Sequence, residues 1–400
     1  MALIVQKFGG TSVATTTRIQ EISKIVLFEY SKGNKIVIVV SAMAGITNQL
    51  VTYCNEISTL NNNMSLAEYD AALCSGEMVT AALTALSLQQ LGISSRSVFA
   101  WQLPIMTTNN YSKAIVESLN TKLLMKCLDD GFAPVVAGFQ GITADNRCTT
   151  LGRGGSDTTA SLIAAAINAD RCDIYTDVLG VFTADPRVVP AAQKIDSLNY
   201  EEMLEFASSG AKVLHPRCIE VAMRYNIPIR VLSSFHNDNG TLITAKNKIM
   251  ENRIITGITS NKNLLKVNIQ DQKITLSQIC RMLSLQGIHI EFMLNLQDSG
   301  SSFIVQLNDK SKLEFILKEQ KIDFITDSSV AIVSLVGYGI KNDNQLISKI
   351  LEILDNAGIL VTMMQNSEIK VSILINDSDT EKAVKALHEL VENEHHLTNK

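Results

Sequence analysis

The sequence predicts an α/β protein, with a mainly parallel sheet and helices on both faces, followed by two smaller ferredoxin-like units. Three observations carry this. Strand-like and helix-like segments alternate from Leu3 to Leu232, the pattern of a doubly wound sheet. Several strands are unbroken β-branched runs, Lys35-Ile-Val-Ile-Val-Val40 foremost, as burial on both faces requires. The last third repeats itself, with a period of roughly 70 residues, in the order β-α-β-β-α-β. The expected divisions are residues 1–250, 262–330 and 331–400.

In chain order, Leu3–Lys7 is a buried strand running into Phe8-Gly-Gly-Thr-Ser-Val13, and polar Thr15–Thr17 opens a helix to about Tyr30. Ile19, Ile22, Ile25, Val26 and Phe28 give that helix its apolar face. After the Ser31-Lys-Gly-Asn34 turn and the Lys35 strand, helical patterns cover Asn48–Ser58 and Leu66–Leu91, then a strand covers Ser97–Trp101. A helix is expected over Ser112–Asp130, followed by the strand Ala133–Ala137. Leu151-Gly-Arg-Gly-Gly-Ser-Asp-Thr-Thr-Ala160 leads into a small-residue helix, with Ser156 or Asp157 as the natural N-cap. Cys172–Asp177 is a strand, Val178–Arg187 a loop with a short hairpin, Asn199–Ser209 a helix, Gly210–Tyr225 a loop and helix, and Ile229–Leu232 a strand. Glycine-bearing motifs fall after Lys7, Val40, Ala137 and Tyr175, the strand ends beyond which such sheets bind ligands.

A boundary falls near residue 250, since all six prolines lie between Pro104 and Pro228. The first repeat comprises Leu264–Ile269, Thr275–Gln286, Gly287–Ile290 and Ser302–Leu307, and the second Ala331–Val336, Asn344–Ala357, Gly358–Val361 and Glu368–Ile375. Each closes on an amphipathic helix, Asp309–Gln320 or Thr380–Glu392, and such units pair sheet to sheet in regulatory or dimerising modules.

Composition excludes several classes. The net charge of −5, with scattered Lys and Arg, argues against nucleic-acid or anionic-membrane binding. No run approaches the ~18 apolar residues of a spanning helix, and the N-terminus is too soon interrupted for a secretory segment, so a cytoplasmic protein is expected. The seven cysteines form no CxxC pair and the six histidines no ligand spacing, so reduced thiols and no resident metal are expected.

The candidate chemistry is anion binding. Lys7 with Gly9 and Gly10 puts a cation and close-approach glycines at a strand end; Arg153 among three glycines adds a planar fork for a carboxylate or phosphate. Ser41–Thr47 is a second loop of small residues and hydroxyls. Glu77 follows a glycine at what looks like the start of an apolar helix, where a dipole-stabilised first-turn carboxylate is the plain alternative. Thr176-Asp177 and Thr183–Arg187 suit the lining of a nucleotide pocket, although on their own they read first as an ordinary Asp-Pro turn, and Lys212 on its own reads as a solvated lysine.

Taken in order, Lys7–Val13, Val40–Gly45, Ser75-Gly-Glu77, Gly138-Phe-Gln-Gly141, Leu151–Ala160, Thr176-Asp-Val178, Thr183–Arg187 and Gly210-Ala-Lys-Val-Leu-His-Pro216 resemble the amino-acid kinase family, and within it the aspartate kinases. The C-terminal repeat resembles their tandem ACT domains. The resemblance implies the amino-acid kinase fold and ATP-dependent phosphorylation of the L-aspartate β-carboxylate, at the head of lysine, threonine, methionine and diaminopimelate synthesis. It implies that Lys7 and Lys212 hold the transferring phosphoryl group, that Asp157 orients them, and that Phe8, Gly9, Gly10 and Ser41 adjoin the ATP phosphates. Arg153 is implied for the substrate α-carboxylate and Glu77 for its ammonium, with Thr47, Gly154 and Ser156 placing the carboxylates. Thr176, Asp177, Phe182, Asp185 and Arg187 are implied around the nucleotide, with Mg²⁺ arriving on ATP.

The resemblance further implies a homo-oligomer through the ACT units, a lysine or threonine effector, and a short regulatory chain starting at Met250. The alternatives are another amino-acid kinase, acting on acetylglutamate or glutamate, and a non-catalytic ACT sensor. The first unit departs from the family's Asp-x-Pro-Gly turn, reading Asp271-Gln-Lys-Ile274, and the second reads Asn342-Asp-Asn-Gln345 where a glycine turn is common.

Overall fold

The computed structural model describes residues 1–245, 254–270, 274–296, 300–338, 340 and 344–398. Met250 and the turns at 271–273 and 341–343 lie outside the described residues. The chain divides into two compact units: residues 1–182, 194–208 and 212–249, and residues 183–193, 209–211 and 250–400.

The first unit opens on β1 (Leu3–Phe8), α1 (Thr16–Ser31), β2 (Lys35–Val40), α2 (Ile46–Ile57) and α3 (Asn63–Gln90). Thr15 caps α1 by accepting the Arg18 N–H, as its polar start suggests. α3 is one continuous 28-residue helix begun by an Asn62–Ser65 capping box. Its length and composition would suffice to cross a bilayer, contrary to the sequence reading, but its buried face includes Asp70 and Glu77. Then come β3 (Ser95–Val98), β4 (Ile105–Thr107), β5 (Val116–Leu119) and α4 (Lys122–Asp129). The helix expected from Ser112 therefore starts ten residues late: Ser112 takes a left-handed φ of 67°, and Val116–Leu119 pairs with β4 instead.

The unit continues through β6 (Ala133–Ala137), β7 (Gln140–Ile142), β8 (Cys148–Thr150), α5 (Gly155–Ala166), β9 (Arg171–Thr176), β10 (Ser197–Leu198), α6 (Tyr200–Ser208), α7 (Pro216–Tyr225), β11 (Ile229–Ser233) and β12 (Thr241–Ile243). Eight strands form the main sheet in the order β10-β12-β11-β9-β1-β2-β6-β3. Only β11–β12 is antiparallel in it. β1 is central, its inner residues buried on both sides, and the glycine motifs after β1, β2, β6 and β9 share one edge. A second sheet, β5-β4-β7-β8, carries the chain towards α5.

A charge cluster sits within β9. Asp173 is fully buried and accepts from Arg230 (2.7 Å from both Nε and Nη2) and from Arg171 Nε at 3.1 Å, while Arg171 also reaches Glu29 at 3.0 Å. Removing one partner of such a cluster strands the others.

The second unit contains β13 (Gly257–Asn261), β14 (Leu264–Ile269), α8 (Leu276–Leu285), β15 (Ile290–Leu296), β16 (Gly300–Gln306), α9 (Lys310–Glu319), β17 (Phe324–Asp327), β18 (Val330–Val336), α10 (Asn344–Asn356), β19 (Met363–Asn366), β20 (Lys370–Asn376) and α11 (Thr380–Thr398). The two repeats form the sheets β15-β16-β14-β17 and β13-β18-β20-β19. They pack face to face through Leu264, Phe292 and Ile304 against Val330, Ile332 and Leu374, as the repeat suggests. One strand is not where the repeat places it. The second sheet's edge strand is β13, which precedes the first repeat and runs antiparallel to β18.

Asp173→Ala is expected to destabilise the protein by about 3–5 kcal/mol, since two guanidinium groups lose their buried counter-ion. A urea-unfolding midpoint unchanged from the parent contradicts this.

Candidate active site

A cleft of about 350 Å³ opens at the carboxyl edge of the main sheet. Lys7, Gly10, Ser41, Thr47, Glu77, Arg153, Gly154 and Ser156 all line it, so eight residues singled out in the sequence meet in one place.

Lys7 is the penultimate residue of β1, and its ammonium pairs with Asp157 in the first turn of α5. Its side chain is 10% exposed and that of Asp157 14%, so water screens the pair little. The adjacent backbone is largely committed. Gly9 N–H donates to the Tyr175 carbonyl (3.1 Å) and Ser41 N–H to the Phe8 carbonyl (3.1 Å). The Gly10 amide and the Ser41 hydroxyl are thus the donors to consider at this edge, rather than the Gly9 and Ser41 amides. Phe8 is fully buried and stacks on Tyr175 at 4.7 Å, so its side chain serves the core.

The Leu151–Ala160 stretch is set by glycine geometry rather than by a side-chain cap. Gly154 is the N-cap of α5 at φ 68°, not Ser156 or Asp157 as the sequence suggested. A Cβ on Gly154 would lie 2.3 Å from the His215 ring, and one on Gly138 would lie 2.8 Å from Ser156 Cβ. These contacts seat the helix start directly on the strand ends, with the exposed Arg153 at the rim.

Glu77 lies in the middle of α3, not in a first turn. Gly76 permits this placement: a Cβ there would come within 2.9 Å of Ala42 Cβ, so only glycine lets the helix meet the loop after β2. Ala42 N–H donates to Glu77 Oε1 at 3.0 Å, whereas Oε2 is buried without a hydrogen-bond partner. Burial pushes the Glu77 carboxyl up to about 7, against the stabilising backbone N–H groups of Ala42 and of Glu77 itself. An unsatisfied carboxylate oxygen facing a cleft is suited to a cationic guest.

Three supports were missed in the sequence. Asp70, fully buried one face along α3, accepts from Ser112 N–H, Thr150 N–H (2.8 Å) and Thr150 Oγ1 (2.8 Å), fixing the entry to Leu151. Its spacing to Leu73, Cys74 and Glu77, at i+3, i+4 and i+7, was the available signal. Phe139 lines the cleft with φ 69°, a conformation no sequence pattern marks in a non-glycine residue. His215 caps α7, and burial lowers its pKa although Asp157 opposes this.

Other candidates stand apart from the cleft lining. Lys212 is exposed. At the end of β9, Thr176 Oγ1 donates to Asp177 at 3.0 Å, with Phe182 farther along the same unit. Asp185 and Arg187 form a fork-like ion pair (2.7 Å) and belong to the second unit, where Ala184 and Val189 join its core.

Comparison with known proteins bears on this arrangement. A profile of the amino acid kinase family matches residues 2–233, and an ACT-domain profile matches residues 333–390. An aspartokinase of Rickettsia felis is 55% identical over 397 residues, covering 98% of this chain and 99% of that protein. Aspartokinase 2 of Bacillus subtilis is 40% identical over 403 residues, at 98% coverage of both. The chain belongs to the aspartokinases of the amino acid kinase family. Among solved structures, E. coli aspartokinase III in complex with aspartate and ADP superposes with a TM-score of 0.84 at 26% identity, over 97% of this chain and 99% of that one. The same enzyme with lysine and aspartate gives 0.76. The aspartokinase fold, with its C-terminal ACT domains, is thus the architecture described above.

The Glu77 carboxyl has its own signature. Its pKa rises from the ordinary 4.5 to about 7 on folding, so the ionised form is penalised in full above pH 7, and the penalty fades between pH 7 and 4.5. Glu77→Gln is therefore expected to stabilise the ligand-free protein at pH 8 by roughly 3 kcal/mol at most, with no gain at pH 4.5. Thermal melts at the two pH values check this; equal effects at both contradict it.

Proposed function

We propose that the cleft binds L-aspartate, and that the chain transfers the γ-phosphoryl group of Mg·ATP to its β-carboxylate, giving 4-phospho-L-aspartate and ADP. The observation that carries this reading is the pairing of opposite charges across one cleft: Glu77, with its unpartnered oxygen, and Arg153 at the rim. They suit the ammonium and α-carboxylate of a free amino acid. An acetylated amine would leave Glu77 buried and unpaired, which disfavours acetylglutamate as substrate.

The β-carboxylate is already a nucleophile, so no general base is required. The barrier is repulsion between two anions, and positioning with fixed positive charge lowers it. Lys7 supplies that charge, and Asp157 holds its ammonium at the end of β1 rather than taking a proton. Thr47, Gly154 and Ser156 place the carboxylates, the Gly10 amide and Ser41 hydroxyl adjoin the phosphates, and Thr176, Asp177, Phe182 and Lys212 serve the nucleotide side. Mg²⁺ arrives with the phosphates of ATP in this reading.

The wider reading follows from the product: an acyl phosphate that opens the route to lysine, threonine, methionine and diaminopimelate, made in the cytoplasm by a homo-oligomer. The ACT units are the place for an amino-acid effector, lysine or threonine, and Met250 for an internal start giving a separate regulatory chain. Assays with each amino acid, and mass spectrometry for a chain beginning at Met250, test these points.

Lys7→Ala is expected to lower kcat by about 10²–10³-fold, the loss seen when one preorganised electrostatic contact to a transition state is removed. Arg153→Ala is expected mainly to raise KM for aspartate, by about 10–100-fold through loss of a charge-assisted fork. Aspartate-dependent ADP release retained at parental rates in both variants contradicts the site assignment.

The pH profile is a second check. Glu77 must be ionised to accept an ammonium group, so kcat/KM for aspartate is expected to fall tenfold per unit below about pH 7. In Glu77→Gln that acid limb disappears; its persistence contradicts the role given to Glu77.

A further inference from the structure

Arg153 is presented by a loop with little stiffness of its own. Its two neighbours, Gly152 and Gly154, take φ of 77° and 68°, conformations that glycine enters and leaves with equal ease. The direction of the Arg153 side chain is therefore set from outside the loop, by two walls. A Cβ on Gly152 would lie 3.1 Å from the Ser112 carbonyl oxygen, in the turn before β5. On the other side, Gly154 meets the ring of His215 at the start of α7.

Arg217, in the first turn of α7, joins both walls to the loop between them. Its Nη1 donates to the Leu151 carbonyl at 3.0 Å and its Nη2 to the Ala114 carbonyl at 3.1 Å. Ala114 N–H in turn donates to the Thr150 carbonyl at 2.9 Å, which closes a ring of contacts on the guanidinium. Leu151 and Ala114 are both buried, so water is a poor substitute for the lost donor. The Leu151 carbonyl lies in the peptide plane that leads into Gly152, so pinning it fixes the direction in which the loop departs. Asp70 secures Ser112 and Thr150, one residue short of that plane. Arg217 itself is half-buried and stands outside the cleft lining.

We propose that Arg217 is a positioning residue for the amino-acid substrate. By pinning the Leu151 and Ala114 carbonyls it holds the Gly152–Gly154 loop, and with it Arg153, in the orientation that receives the α-carboxylate. A guanidinium left to swing keeps its charge but must be immobilised on binding. That cost falls on ground state and transition state alike, so it enters KM and not kcat. The effect on substrate rests on the reading of Arg153 as the α-carboxylate ligand; the tie on the loop does not.

Arg217→Met keeps the length of the side chain and removes its donors. It is expected to raise KM for aspartate about tenfold, the cost of ordering one long side chain, with kcat and KM for ATP unchanged. Arg217→Lys, which keeps the charge without the fork, is expected to fall between, and it carries the same readouts if the methionine variant does not fold. A lowered melting temperature with KM for aspartate unmoved reduces Arg217 to a fold clamp and overturns the proposal. In an Arg153→Ala background Arg217→Met is expected to add nothing to KM; an undiminished rise there shows that the effect bypasses Arg153, and overturns it too. Hydrogen–deuterium exchange on the full-length, ligand-free protein tests the tie without turnover. The Leu151 and Gly155 amides, bonded to the Phe139 and Gly152 carbonyls at 2.9 and 3.0 Å, are expected to exchange faster in Arg217→Met while α1 keeps parental rates. Unchanged exchange at those two amides overturns the tie. A parent enzyme with no aspartate turnover defeats the functional reading instead, and the exchange rates still decide the tie.

Discussion

The ion pair between Lys7 and Asp157 is the contact around which the first unit is arranged. One partner is the penultimate residue of the central strand and the other lies in the first turn of α5, so the pair ties the sheet's carboxyl edge to the helix beside it. Holding a lysine there, nearly out of water, requires a counter-charge placed by rigid elements on both sides. The parallel sheet provides one and the glycine-set start of α5 the other. An anionic guest entering the cleft then meets a cation whose position is already fixed, so little reorganisation accompanies binding.

Most of the fold was legible because its signals are local and repeated. β-branched runs such as Lys35–Val40 can only be buried strands, and glycines after four of them mark the same edge of the sheet. The site was legible through residue type: an arginine among glycines, and a lysine before two. What escaped was set by tertiary contact. Ser75-Gly-Glu77 looked like a helix start because glycine usually interrupts a helix, yet here Gly76 stays helical to admit Ala42. The N-cap of α5 went to Gly154 because His215 occupies the space a larger residue would need. Ser112–Leu119 has helical composition, but its Val116–Leu119 part pairs antiparallel with β4 across the loop that holds the left-handed Ser112, a turn that no residue pattern marks.

Charge placement divides the unit by purpose. The Asp173 cluster, buried inside the sheet, is satisfied on every side by Arg171 and Arg230 and so has no spare capacity for a ligand. Glu77 is buried almost as deeply but has one oxygen without a partner. The contrast separates an internal brace from a receptor, and it rests on hydrogen-bond accounting, which sequence alone does not supply.

The early position of β13 has a consequence during synthesis. Asn261 pairs with Ile332, so the strand leaves the ribosome about 70 residues before its partner and waits several seconds with an open edge. In that interval the first ferredoxin-like unit can close on itself, because all four of its strands lie between Leu264 and Asp327. The nascent chain thus completes an inner module before the outer one that encloses it, an order written into the topology and independent of any ligand.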